Sequence, residues 1–291
     1  MKIKSSLKLI PLCFLPLLSC GQQAAKQQDA ATTFKNLKIP ENQVLYEVTV
    51  EAENTPYRVF INDIPLMTSK ISGRIKFFAN PAVVKSGKQQ VKVDYKTKPG
   101  SAGDNLQVKV AETAWQKGGG TKTPVVIWEY QQKDGAAAQG TFNASVPVSL
   151  PNWEPSMALK ADDRQLISKA EAWFKTMADY LEAGKGDAFM NGLLKAESLV
   201  YQLNYFTPEK ALAQHNQWKN YINKGGLKLA GVQNAKIEIV GNGKLLHLVN
   251  PSGEGALAIL HGSRRTIFDV FLHFPKGEDE PEAILLNMAE Y

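Results

Sequence analysis

From Val44 onward, apolar and polar residues alternate with a period of two. Tyr46, Val48 and Val50 interleave with Glu47, Thr49 and Glu51, which predicts a strand with one face in a core. The pattern recurs at Val59 and Ile61, at Ile75 and Phe77, through Val91, Val93 and Tyr95, and through Leu106, Val108 and Val110. It returns at Val125–Tyr130 and at Phe142, Ala144, Val146 and Val148. Turn residues separate these runs at Asn54-Thr55-Pro56, Asn62-Asp63, Ser86-Gly87, Pro99-Gly100, Gly118-Gly119-Gly120 and Lys133-Asp134-Gly135. About seven short strands with such punctuation predict an all-β sandwich over residues 44–150. No helical period is visible before Pro151.

Beyond Pro151-Asn152-Trp153-Glu154-Pro155 the period changes. Two prolines stiffen this join, and Trp153 is placed to pack between the parts on either side. Leu166, Ile167, Ala170, Trp173, Phe174, Met177 and Leu181 recur at three and four residues, and Asp162 and Asp163 offer an N-cap, so a helix is expected there. A second is expected from about Asp187 to Leu203. A third opens at Thr207-Pro208, with the threonine as cap and proline in the first turn, and stops at Gly225-Gly226. Strands are then expected at 228–240, 244–249, 256–260, 266–274 and 282–287, joined by hairpin turns at Gly241-Asn242-Gly243, Pro251-Ser252-Gly253 and Lys276-Gly277-Glu278. Residues 151–291 therefore read as an α+β domain, three helices followed by an antiparallel meander. The chain as a whole reads as multidomain, all-β plus α+β.

The N-terminus has a different character. Lys2, Lys4 and Lys8 precede an apolar run, Leu9 to Leu18, of ten residues. A membrane-crossing helix needs about 20, and Pro11 and Pro16 interrupt the run. A basic start, a short apolar middle and small residues after it read as a secretory signal over residues 1–19. Residues 20–43, rich in Gln, Ala, Lys and Thr, read as a flexible tether. The cysteines are Cys13 and Cys20, so a chain cut before Cys20 has neither a disulfide nor a thiolate metal site in its body. The full chain carries 34 basic and 28 acidic residues, net +6; without the three signal lysines the count is 31 against 28. That mild balance makes no case for nucleic acid.

Leu17-Leu18-Ser19-Cys20 resembles the lipobox of bacterial lipoproteins. The resemblance implies cleavage before Cys20, a diacylglycerol on its sulfur and an acyl chain such as palmitate on its amine. Several chains anchor where one does not, at about 0.8 kcal/mol per buried methylene. Gly21 in place of Asp implies, by the enteric pattern, the outer membrane, with the body facing the periplasm. Two fold-level resemblances accompany this one. Val59 to Leu66 with Asn80 to Lys88 is similar to the small sandwich modules of secreted proteins, immunoglobulin-like and jelly-roll domains among them. The element order of residues 151–291 is similar to the cone-shaped fold of ketosteroid isomerase and nuclear transport factor two relatives, which implies helices packed in the concave face of a curved sheet.

Chemistry is sparse. The chain has no Gly-x-Ser-x-Gly elbow, His-Glu-x-x-His, Walker loop or dinucleotide fingerprint, and the glycines at 118–120 lack the helix a phosphate loop requires. His247, His261 and His273 lie on successive strands and, with Asp269, form a conceivable zinc set, against the plainer reading of half-buried strand histidines. His215 is expected to face solvent. An isomerase-like site would need an acid with hydrogen-bond donors opposite it, for which Asp269, Tyr201 and Tyr205 are the candidates. No catalytic residue, cofactor or metal is assigned. Arg264 and Arg265, a basic pair able to dock a carboxylate or phosphate, and the acidic tip Glu278, Asp279 and Glu280 are the candidate partner contacts.

A tethered body without evident chemistry reads as a protein-binding module rather than an enzyme. The sharpest version is an immunity lipoprotein that neutralises a secreted antibacterial effector such as a type VI lipase. The alternatives are a small-ligand or glycan carrier, with an apolar pocket lined by Phe189, Leu193, Leu199 and Phe206, and a structural component of an envelope assembly. The expected partners are the bilayer, through Cys20, and one secreted or envelope protein.

Overall fold

The computed structural model describes residues 29–95, 105–116, 119–132, 138–148, 150, 152–262 and 264–290. The signal segment and Cys20, the turns at Pro99-Gly100 and Lys133-Asp134-Gly135, Gly118, Pro151, Ser263 and the side chain of His261 lie outside the described residues. Among the described residues the fold is mostly β, with three antiparallel sheets and four α-helices.

The first part contains β1 (Val44–Glu53), β2 (Tyr57–Ile61), β3 (Ile64–Ser69), β4 (Gly73–Phe78), β5 (Gly87–Tyr95), β6 (Asn105–Ala114), β7 (Val125–Gln131) and β8 (Ala138–Ala144). They form two four-stranded sheets, ordered β4-β1-β6-β7 and β3-β2-β5-β8. The apolar rows of β1, β2, β5 and β6 meet in one core, with Val48, Val50, Val59, Ile61, Val93, Val108 and Val110 fully buried. Eight strands stand where the alternation predicted about seven, and β3 is the addition. Asn62 and Asp63 both have left-handed backbones (φ 52° and 63°), the requirement of a two-residue type I′ hairpin, so the chain turns straight back. β3 escapes the alternation because Ile64, Pro65 and Leu66 are buried in succession. The last strand also ends sooner than expected, at Ala144 rather than Val148.

In the second part α2 (Arg164–Glu182) is capped by Asp163, whose carboxylate accepts the Leu166 N–H at 3.2 Å. α3 is Gly186–Leu203, and α4 (Pro208–Asn223) is capped by Thr207 on Lys210 N at 3.2 Å. The six strands that follow are β9 (Lys228–Ala230), β10 (Lys236–Val240), β11 (Leu245–Val249), β12 (Leu257–His261), β13 (Arg264–His273) and β14 (Glu282–Glu290). The single strand expected over 228–240 is two. Gly231 (φ 98°) and Asn234 (φ 58°) break it, so β9 pairs with β12 and β10 with β11. The sheet is therefore not a plain meander. Its centre is β13, which gives one edge to β14 and divides the other between β12 and β11.

Both faces of this sheet are covered. Phe268, Val270 and Leu272 of β13 pack with Phe174, Phe189 and Leu193 of the helices. Phe271, with Val240, Leu245 and Ile284, packs into the core that includes the first part, as does the buried Trp153. Among the described residues no helix is long and apolar enough to cross a membrane.

The flexible tether expected over 20–43 does not run that far. A short helix α1 (Ala30–Phe34), capped by Asp29, docks on α3 and α4. Phe34 is fully buried beside Leu194, Tyr201 and Ala211. Lys38 N donates to Gln202 Oε1 at 2.7 Å, and Gln202 Nε2 donates back to Lys38 O. Burial of one phenylalanine is worth about 1.5–3 kcal/mol, the local term that sets this strap in place.

His215 does not face solvent. It is 2% exposed and contacts Glu197 Oε2 through Nδ1 at 2.7 Å, while Tyr201 donates its hydroxyl to Glu197 Oε1 at 2.8 Å. Phe34 closes this polar group with its ring edge-on to both Tyr201 and His215. Burial pushes the Glu197 carboxyl above its ordinary range, against the opposing hydrogen bond and charge of His215. Removing one member of a buried pair costs about 3–5 kcal/mol. His215→Ala is therefore expected to lower the unfolding free energy by roughly that amount, measured by denaturant titration, and to speed hydrogen exchange over 31–37. Unchanged stability would mean that the pair contributes nothing.

Candidate functional site

The sequence brings polar residues to one place in the second part, the seam where β3 crosses the six-stranded sheet. Asp269 sits on β13 between Phe268 and Val270, which face the helices, so its carboxylate faces β3. His247 on β11 donates from Nε2 to Asp269 Oδ1. Its ring is 1% exposed and lies nearly parallel to Phe271, with centroids 4.3 Å apart. His247 Nδ1 is buried with no hydrogen-bond partner among the described residues.

Charges pair along the same seam. Arg58 of β2 binds Glu238 of β10 at 2.9 Å, and Arg265 of β13 binds Glu254 at 2.7 Å. Burial pulls the Glu238 carboxyl up, but the hydrogen bond and charge of Arg58, with smaller help from His247 and Lys236, hold it below its ordinary range. Burial likewise opposes, and Arg265, Asn250 and Ser252 outweigh it, at Glu254. The hydroxyls nearby are engaged. Ser252 donates to Asn250 Oδ1 and Glu254 Oε2, and Thr68 donates to Gly253 O.

The cavity beside His247 and Asp269, walled by Leu66, Thr68 and Asn287, has a volume of about 40 Å³. That is room for about three waters. A general base must reach the proton it removes, and no described hydroxyl or thiol hydrogen-bonds to His247. In the seam the dyad joins β11 to β13 beneath β3, with His247 buried and Asp269 partly exposed.

An open groove adjoins the clasp between the two parts. Asp63 O accepts from Gly241 N at 3.1 Å and Asp63 Oδ2 from Asn242 N at 2.9 Å, one tight turn gripping another. Two shallow hollows of about 390 Å³ each share Gln90 and Asn242 beside this clasp. One is walled by Lys85, Lys88, Trp153 and Lys244, the other by Lys92, Gln139 and Thr141. Lys85 pairs with Glu154, Lys92 with Asp94, and Lys244 donates to Ser156 O. The side chains of Lys88, Gln90, Gln139 and Thr141 make no hydrogen bond to the other described residues.

The residues singled out in the sequence are dispersed. Tyr201 is committed to Glu197. Tyr205, its phenol pushed up to about 12 by burial, donates to Val44 O at 2.9 Å. Neither faces Asp269, so the isomerase-like constellation is not assembled. His273 lies against Ser156, its Nδ1 2.7 Å from the hydroxyl, with Nε2 3.5 Å from Glu282. Burial first, then the Lys195 charge, hold its imidazole below the ordinary value. Among the described residues no three His, Cys, Asp or Glu side chains are grouped to hold a metal. Phe189 and Leu193 fall in the helix–sheet core, Leu199 in the core shared with the first part and Phe206 beside α1, so no pocket gathers them. Arg265 is tied into the seam. Arg264 stays exposed at 3.3 Å from Glu290, and Glu280 lies 3.3 Å from Lys169, which also donates to Asp279 O. Glu278 sits in the same exposed turn. Sequence reasoning missed the groove, whose polar side chains come from strands distant in the chain.

Two outcomes check the seam. A Cβ on Gly255 would overlap Asp269 Oδ1, so Gly255→Ala is expected to destabilise by about 1–3 kcal/mol, read as a lower denaturant midpoint. Glu238 and Glu254 have lowered folded-state values, so their contribution is present above the ordinary 4.5 and lost as pH falls through and below it. The melting temperature should fall steeply across that window, and less steeply in Glu254→Gln. Compared with protein-family models, curated proteins and solved structures, the chain matches none.

Proposed function

We propose that this chain is a lipid-anchored envelope protein whose body binds another protein. Its most specific form is an immunity protein that neutralises a secreted antibacterial effector, such as a type VI lipase, on the periplasmic side of the outer membrane. The lipobox-like Leu17-Leu18-Ser19-Cys20 supports the anchor. The immunoglobulin-like likeness of the first part rests on Val59 to Leu66 with Asn80 to Lys88, the cone-like likeness of the second on element order, and neither carries an activity.

The observation that carries the reading is the contrast between seam and groove. The seam dyad, His247 with Asp269, lies beneath β3 beside a cavity of about 40 Å³, whereas Lys88, Gln90, Gln139 and Thr141 line wider, open hollows. Lys88, Gln90, Gln139 and Thr141 offer an ammonium, two amides and a hydroxyl to a polar, acidic surface. A sugar site is less well supported, because Trp153, the aromatic residue on the groove wall, is 5% exposed and has no free face for stacking.

The test is purification of the tagged, lipidated protein from its own cells. One partner is expected in near-equal amount, and cells producing that partner should survive only when this protein is present. Lys88→Glu should weaken the complex at least tenfold, about 1.4 kcal/mol, without shifting the melting temperature. A large envelope complex instead would favour a structural role, and an unaffected Lys88→Glu complex would remove the groove from the interface. For the anchor, radiolabelled palmitate should enter the protein and be lost in Cys20→Ser.

A further inference from the structure

Exposed apolar side chains concentrate at one end of the first part. Val125 is 65% exposed, Val126 51%, Ile39 43% and Trp115 38%. Trp115, Val125 and Val126 flank the connection from β6 to β7, and the Trp115 ring meets Phe78 edge-on at 6.1 Å. Ile71 and Leu260 are the other exposed large apolar residues described, and they lie elsewhere.

A chain of contacts identifies this end as the one at which the N-terminal segment arrives. Phe34 of α1 packs on Tyr201, and Lys38 is hydrogen-bonded to Gln202, both near the C-terminal end of α3. Tyr205, just past α3, donates to Val44 O, Val44 pairs with Ala114, and Trp115 N donates to Gln43 O at 3.2 Å. Ile39 sits between these anchored points. Cys20 precedes Asp29 by nine residues, a span of at most roughly 30 Å. A lipid on Cys20 therefore keeps Asp29, where α1 docks on α3 and α4, within about that distance of the bilayer, and residues 38–43 lead from there to Trp115.

Charge does not decide the occupant, since the exposed Lys38 and Lys122 are offset by Glu41 and Glu112. Apolar contact does. Tryptophan is favoured at the headgroup boundary, where its ring is half buried and its N–H stays wet. A second copy adding to the edge strand β7 is disfavoured, because Pro124 precedes the strand and its pairing with β6 is irregular at Val110/Ala111.

We propose that this end is a membrane-facing surface, with Trp115, Val125 and Val126 resting in the headgroup region of the bilayer that carries the Cys20 lipid. The inference rests on the anchored reading above. The lipidated full-length protein carrying Val126→Cys, labelled with an environment-sensitive dye, tests it in phosphatidylcholine vesicles containing nitroxide lipids. Arg74→Cys, at the far end of the same sheet opposite Glu51, is the control, and Val125→Cys is a second labelling position should the first fold poorly.

The protein should float with the vesicles, and nitroxide lipid should quench the dye at 126 at least twofold, insensitive to salt, while leaving the dye at 74 unchanged. Flotation with equal, weak quenching at both positions would overturn the membrane-facing surface and leave the anchor standing. A blue-shifted dye at 126 that ignores nitroxide lipid, in a protein sedimenting as a dimer, would overturn it in favour of a second copy. Failure to float would overturn both readings.

Discussion

The six-stranded sheet has no free face, and most of the molecule follows from that. Along most of β13, residues point to the helices and to the first part in turn, so Thr266 to His273 enter buried or half-buried layers. An apolar residue gains from this on either side. A polar one is costly unless its hydrogen bonds are met within the protein. Asp269 is such a residue, and His247 on the neighbouring strand and the missing side chain of Gly255 are what it requires. Arg58 with Glu238 and Arg265 with Glu254 solve the same problem where the seam comes nearer to water.

The same burial separates the two functions a histidine and an acid can serve. A dyad with this geometry in an open cleft would be a candidate general base. Here it lies beneath β3 with His247 buried, and its hydrogen bond joins the neighbouring strands β11 and β13 of one sheet. The outward surface beside the Asp63–Gly241 clasp is the opposite case, with donors exposed and few internal partners. Under the proposed protein-binding reading, recognition belongs on the groove and cohesion on the seam.

Local order was legible in the sequence where one period governed a segment. The alternation of β1, β5 and β6 was visible, as were the caps at Asp163 and Thr207, because both depend on neighbours within a few residues. β3 was not, since burial on both sides erases alternation in Ile64, Pro65 and Leu66. The break at Gly231 was overlooked because the apolar pattern resumes beyond it. His215 carried a usable signal: it falls four residues after Ala211 and seven before Ile222, on the buried stripe of α4. Glu197 lies likewise on the apolar stripe of α3, three and four residues from Leu194 and Leu193, and a charge in that position calls for a partner. The groove had no such signal. Lys88 and Gln90 share the exposed face of β5 by alternation, but Gln139 joins them only through the pairing of β5 with β8.

Phe34 shows how one apolar residue changes the meaning of a polar segment. By composition, residues 20–43 form a tether, and a free chain of that length would let the body wander and turn at the membrane. With Phe34 buried and Lys38 tied to Gln202, residues 34–38 are held against the body rather than free. Under the anchored reading, a short leash attached at one end favours one orientation, and the exposed Trp115, Val125 and Val126 lie at that end. Orientation is then set jointly by the strap and by the apolar end, and loosening α1 would relax it without touching the groove.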